Sequence, residues 1–195
     1  MRIDKEILFW LPILRLWPLM ALSRLCPKRN QIREERQYWY RNVMHKDDGT
    51  FRDTFFLFTL PEYRSVVYFR MGGWRRFVQW LAPGQSPLQI SLRSDQVELG
   101  LVLKHAHSTR IGARHIGRNV QIWHNVTLGT DHAQEKNVPI VGNNVMIYTG
   151  AIVFGNITIG DNAIIAAGAI VNKDVPANAI VAGNPARVIK YRDGR

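Results

Sequence analysis

"IVGNNVMIYTGAIVFGNITIGDNAIIAAGAIVNKDV" runs from Ile140 to Val175. Every sixth residue from Val141 is aliphatic and β-branched: Val141, Ile147, Val153, Ile159, Ile165, Val171. A second series from Val145 is small or medium apolar: Val145, Ala151, Ile157, Ala163, Ala169, Val175. The same frame appears upstream as Ile116, Ile122 and Leu128, with Val120 and Val126 in the second series. A period of six is neither helical nor a simple alternation, so it marks an internal repeat. Stacked coils of short strands satisfy it. Three units make one triangular turn, and backbone bonds run from coil to coil. The aliphatic series then points inward, and Gly, Asn and Asp in "GNN", "GN" and "GDN" turn the corners.

Outward from that stretch, the repeat covers roughly residues 95 to 188. Between Thr130 and Val138 the period fails, and "DHAQEKN" is a polar loop leaving the coil. After Asp174 the regular pattern ends. Residues 1–88 have another character, rich in Arg and aromatics. "NQIREERQYWYRNVM" predicts a helix capped by Asn30, with Glu34 and Glu35 in its early turns. "PEYRSVVYFRMGGWRRFVQWL" predicts a helix opening near Pro61, with Gly72-Gly73 as a break. The division is therefore a helical region, 1–88, and a repeat domain, 89–195, with "APGQSP" (Ala82 to Pro87) between them.

The 195 residues carry a formal net charge of +11, which favours anionic partners without choosing among them. The basic residues are spread through both regions with no nucleic-acid motif, so nucleic acid is not the expected partner. Cys26 stands alone, which excludes an internal disulfide and fits a reducing cytoplasm. "ILFWLPILRLWPLMAL" (Ile7 to Leu22) is apolar but short for a bilayer and interrupted by Pro12, Arg15 and Pro18. Burial against protein and peripheral contact with the inner face of a membrane both remain open for residues 7–22. In the second case Trp10 and Trp17 would sit at headgroup level.

Five of the six histidines fall between Leu103 and Gln134. No acidic or cysteine ligand joins them at a recognisable spacing, so no metal is expected. His124 falls on the coil exterior, and His107 and His115 lie among Arg110, Arg114 and Arg118.

"IAAGAIVNKDVPANAIVAGNPARVIK" (Ile165 to Lys190) resembles the C-terminal signature of hexapeptide acyltransferases that use acetyl-CoA. "LGLVLKHAHSTRIG" and "IWHNVTLG" resemble the serine acetyltransferase branch, which includes enzymes acting on sugars and polysaccharide units. The resemblance implies a mainly β fold, a left-handed parallel β-helix with an α-helical N-terminal region. It also implies a cytoplasmic homotrimer or dimer of trimers, and acetyl transfer to a hydroxyl with a histidine as general base. His105 falls where serine acetyltransferases place that base. "HAQEKNVPIVGNNVMIY" resembles the sugar acetyltransferases, which makes His132 the second candidate. For acetyl-CoA, the resemblance implies Thr149 and Ala167 at the pantetheine arm. Asn172 and Lys173 match a further pair, and Arg187 and Lys190 the basic positions near the phosphates. Two departures from serine acetyltransferases stand out. Val138 replaces the histidine before Pro139, and "QISLRS" lacks the aspartate that orients the base. These favour a carbohydrate hydroxyl over serine as the expected acceptor.

Overall fold

The computed structural model describes the backbone of residues 5–130 and 137–192, and side chains from residue 14 onward within those limits. It forms two compact units, Met1–Gln85 and Ser86–Arg195.

The first unit is helical: α1 (Lys5–Leu25), α2 (Arg29–Trp39), α3 (Phe51–Thr59) and α4 (Pro61–Met71). Among the described residues no helix is long and apolar enough to cross a membrane. α1 runs through Pro12 and Pro18 without a break. α2 starts earlier than the Asn30 cap predicts. Lys28 is its N-cap and makes no side-chain cap. The turn after α1 supplies the start instead, since Arg29 N donates to Cys26 O at 3.0 Å. α2 continues into a π-helical turn, Tyr40–Met44. α3 escaped the sequence reading. Thr50 and Asp53 form a reciprocal capping box at its start. α4 opens at Pro61 and ends at Gly72, whose φ of 58° only glycine adopts freely. Between α2 and α4, Arg70 Nε donates to Glu35 Oε1 at 2.9 Å, with both side chains buried.

The second unit is the coil. Its strands are β1 (Leu88–Ile90), β2 (Val102–Lys104), β3 (Thr109–Ile111), β4 (His115–Ile116), β5 (Gln121–Trp123), β6 (Thr127–Gly129), β7 (Ile140–Val141), β8 (Met146–Ile147), β9 (Ile152–Phe154), β10 (Thr158–Ile159), β11 (Ile164–Ile165), β12 (Ile170–Val171), β13 (Ala179–Gly183) and β14 (Ala186–Tyr191). They form three sheets: β1-β3-β6-β9-β12, then β4-β7-β10, then β14-β13-β11-β8-β5-β2. The chain visits the third, first and second sheets in turn. Pairing from coil to coil is parallel and in register, with Ile122 beside Ile147 and Ile147 beside Ile165. This is the three-sided β-helix that the period of six predicts.

The inward series Ile116, Ile122, Leu128, Val141, Ile147, Val153, Ile159 and Ile165 is fully buried. Each such side chain contributes about 1.5–3 kcal/mol by leaving water. The corner after the second sheet is held by a polar ladder. Asn119, Asn144, Asn162 and Asn178 all have positive φ, and each amide donates to the next at 3.0–3.1 Å. The glycine beside it has a different task. A Cβ on Gly160 would lie 2.5 Å from Ala177 N, so the repeat keeps glycine where coils touch. The coil starts earlier than residue 95, and its end lies within the bounds the sequence suggests. β1 starts it at Leu88, and after Asp174 Val175 still bridges to Ile159. β13 then completes a last side, and β14 folds back antiparallel to close the edge.

Candidate active site

The corner from the third sheet to the first carries the histidines. Three coils turn it at one step, through His124-Asn125, Thr149-Gly150 and Ala167-Gly168. Asn125, Gly150 and Gly168 have φ of 59°, 72° and 68°. Gly150 N donates to His124 O at 3.1 Å, and Gly168 N to Thr149 O at 2.9 Å. The residues before these turns therefore stack in a row down the coil.

The first coil departs from this pattern. Lys104 pairs with Trp123, and Arg110 with Thr127. Residues 105–109 thus span what 124–126 span below, a surplus of two. Asn125 N donates to His107 O at 3.0 Å, so His107 takes the step of His124. The surplus is His105 and Ala106. Ala106 is buried, while His105 is exposed at a φ of 51°. His105 accordingly heads the row His107, His124, Thr149, Ala167.

The row is in contact along its length. The rings of His107 and His124 stack at 4.8 Å, 14° from parallel. His124 Nδ1 lies 3.4 Å from Thr149 Oγ1. Beside it, on the outer face of the third sheet, Trp123 and Tyr148 stack at 4.3 Å. Lys104 precedes His105, and partial burial lowers its ammonium below the ordinary lysine value. A neutral imidazole carries an acceptor nitrogen, and the exposure of His105 suits it to take a hydroxyl proton.

The sequence-derived candidates divide into separate places. His105, Thr149 and Ala167 share this corner. Asn172 and Lys173 are exposed at the next one, beyond β12. Arg187 and Lys190 are exposed on β14. His132 lies outside the described residues. From the corner beyond β6, an open cleft of about 650 Å³ is bounded by Arg110, Arg114, Gln96, Thr130 and Val138. Arg114 Nη2 there donates to Asn156 Oδ1 at 2.7 Å.

Two histidines are in a contact that the sequence did not suggest. His124 lies on the coil exterior, as its frame predicts, but it is half-buried, and its ring packs on that of the exposed His107. Frame counting hid this, because the surplus of two breaks the period just before His107. The H-x-H spacing of His105 and His107 was the available signal. His115 has a structural explanation, since its Nε2 lies 3.3 Å from Glu98 Oε1. Arg118 Nε donates to Glu98 Oε2 at 2.8 Å and holds that carboxyl below its usual range. Among the described residues, no group of three or more His, Cys, Asp or Glu is placed to hold a metal ion.

No family profile matches the chain. Individual proteins do. A putative serine acetyltransferase of Schizosaccharomyces pombe is 46% identical over 90 residues, 45% of this chain and 33% of that protein. The galactoside O-acetyltransferase of Escherichia coli is 45% identical over 91 residues, 41% of this chain and 45% of that protein. The chain thus spans less than half the length of these curated relatives. Among solved structures, the serine acetyltransferase of Brucella abortus in complex with coenzyme A has a TM-score of 0.64 at 25% identity. That likeness covers 90% of this chain and 73% of the other. The Neisseria gonorrhoeae serine acetyltransferase in complex with serine also has a TM-score of 0.64 at 25% identity, over 88% and 72%. The three-sided coil of six-residue units, the helical unit before it and these likenesses agree: the chain is similar to hexapeptide-repeat acetyltransferases, serine acetyltransferases above all.

Proposed function

We propose that this chain is an acetyl-CoA-dependent O-acetyltransferase working in the cytoplasm, where that donor is supplied, with His105 as general base. The observation that carries this reading is the exposed imidazole of His105 at the head of a row ending in small residues. A long, thin acyl donor fits such a row. Beyond Thr149, Ala167 is exposed, and space for a methyl group is open at Gly168. Backbone groups at these turns could meet amides of the pantetheine arm, and Arg187 and Lys190 are proposed to meet its phosphates. Asn172 and Lys173, at the next corner, are proposed to act from a neighbouring subunit of a trimer.

In the reaction, the acceptor hydroxyl oxygen attacks the thioester carbonyl carbon as His105 takes its proton. The tetrahedral oxyanion needs a fixed donor, for which a backbone N–H of the corner is suited. Collapse breaks the C–S bond, and the imidazolium returns the proton to the thiolate. The products are an acetyl ester and the free thiol of CoA.

The serine acetyltransferases among the relatives support L-serine as acceptor. A saccharide is the second reading, and one observation favours it. The stacked, half-exposed rings of Trp123 and Tyr148 beside the row offer an apolar face suited to the C–H face of a sugar ring. Turnover with acetyl-CoA is measured against L-serine and against a panel of galactosides and sugar nucleotides. Brisk turnover with serine alone removes the saccharide reading; turnover with a sugar alone removes serine. No turnover with any hydroxyl, together with no CoA binding, sinks the enzymatic reading.

A further inference from the structure

The N-terminal unit has two features that acetyl transfer does not use. The first is a pocket of about 220 Å³ where α1 ends and α2 begins. Arg24, Arg29, Arg33 and Arg36 line it together with Ser23 and Asn30, and no carboxylate does. Arg36 Nε is buried and has no hydrogen-bond partner. An unmade bond at a buried donor costs about 1–3 kcal/mol, and guanidinium groups around one hollow repel each other. A phosphate answers both, with several acceptor oxygens and a negative charge.

The second feature is a stripe on α1. Leu14, Trp17, Ala21 and Leu25 follow steps of three and four residues, so they share one helix face. Leu14 is 71% exposed, Trp17 58% and Leu25 72%. The opposite face, Leu16, Leu19 and Met20, is buried in the unit's core. Arg24 follows Trp17 by two turns on the exposed side and lines the pocket, so the stripe and the pocket adjoin.

We propose that this end of the unit docks on an anionic lipid bilayer. A headgroup phosphodiester enters the arginine pocket, and Trp17 and Leu25 sink into the boundary between headgroups and acyl chains. Tryptophan prefers that boundary, and basic side chains near an anionic leaflet each add attraction. Charge argues for lipid over a second copy of the chain. Residues 1–85 hold fifteen Lys and Arg against eight Asp and Glu, and pairing two such units would bring two arginine clusters together.

The full chain is floated with vesicles of phosphatidylglycerol in phosphatidylcholine, and with phosphatidylcholine alone. The expected result is salt-sensitive binding to the anionic vesicles only. It should weaken by roughly tenfold or more in Arg29→Glu/Arg33→Glu and in Trp17→Ser, with acetyl transfer unchanged in both. These side chains are exposed, and circular dichroism checks that the variants fold. Absence of binding to anionic vesicles overturns the proposal, as does binding that both variants retain. Self-association that Trp17→Ser abolishes, without vesicle binding, gives the stripe to a second copy and overturns it too. Stabilisation by inorganic phosphate without vesicle binding makes the pocket a site for a free anion, which also overturns the lipid assignment.

Discussion

The imidazoles of His107 and His124 lie face to face, 4.8 Å between centroids, because two coils place them at the same corner step. His105 stands apart from that stack, in the two extra residues that only the first coil has. This separation predicts different kinetic phenotypes. His105→Ala should lower kcat by about 10²–10⁴, the usual contribution of a positioned base, with CoA affinity by calorimetry unchanged. His107→Ala and His124→Ala, in the row that His105 heads, should raise KM for the acceptor more than they lower kcat. Full activity of His105→Ala with loss in His132→Ala would move the base to His132.

Inward and outward positions of one coil should respond differently to truncation. Ile122 is fully buried between Leu103 and Ile147, its partners in the flanking strands, whereas Ile152 is 37% exposed on the outer face. Ile122→Ala is expected to cost about 2–5 kcal/mol, because the stacked strands cannot collapse into the cavity. Ile152→Ala should cost clearly less. Urea unfolding of both variants checks this, and equal losses would contradict the assignment of the inner series.

How far the sequence foretold this structure depends on where the period of six holds. From Val141 to Val171 every buried aliphatic residue follows from counting, because parallel coils repeat one backbone geometry. Around His105 counting fails. Two added residues shift the frame, and only the pairings of Lys104 with Trp123 and Arg110 with Thr127 show that His107 and His124 coincide. Asn30 looked like a cap because of its residue type, but the preceding turn had already begun the helix through Cys26 O. The Glu35–Arg70 pair joins distant helices, and no local pattern encodes such a meeting.

The asparagine ladder should be separable into backbone and side-chain parts. Asn144 has a φ of 55°, accepts from Asn119 and donates to Asn162. Asn144→Ala loses both amide bonds and asparagine's tolerance of the left-handed region, where an ordinary side chain costs about 1–2 kcal/mol. Asn144→Gly restores the backbone part and not the bonds. Stability is therefore expected in the order Asn, Gly, Ala. An alanine variant as stable as the glycine one would mean that the corner is unstrained.

Acid should loosen the start of α3. Lys46 Nζ lies 2.7 Å from Asp53 Oδ1, and Thr50 N and Oγ1 both donate to Oδ2. These bonds, the lysine's first, lower the carboxyl from 3.8 to about 2. A depressed acid stabilises the fold above its unfolded value, and that contribution is lost as pH falls through the folded one. The loss should therefore run from about pH 4 down to about pH 2. In Asp53→Asn the pH dependence across that window should shrink, as read by urea midpoints at pH 5 and pH 2.5. Thr50→Ala should cost about 1 kcal/mol at neutral pH through the lost cap.

The buried pair of Glu35 and Arg70 gives the sharpest contrast between removing one partner and removing both. Each side chain is 1% exposed, and Arg70 Nε donates to Glu35 Oε1 at 2.9 Å. Arg70→Met takes the guanidinium away from a fully buried carboxylate, in a core that also buries Trp39 and Tyr63. That should cost about 3–5 kcal/mol, most of it from a buried charge that has lost its guanidinium. Glu35→Leu/Arg70→Met removes the charge together with its partner, so much of the loss should return. Thermal unfolding of the single and double variants reads this directly. A double variant less stable than Arg70→Met would show that the pair itself, not the avoidance of a lone buried charge, holds α2 to α4.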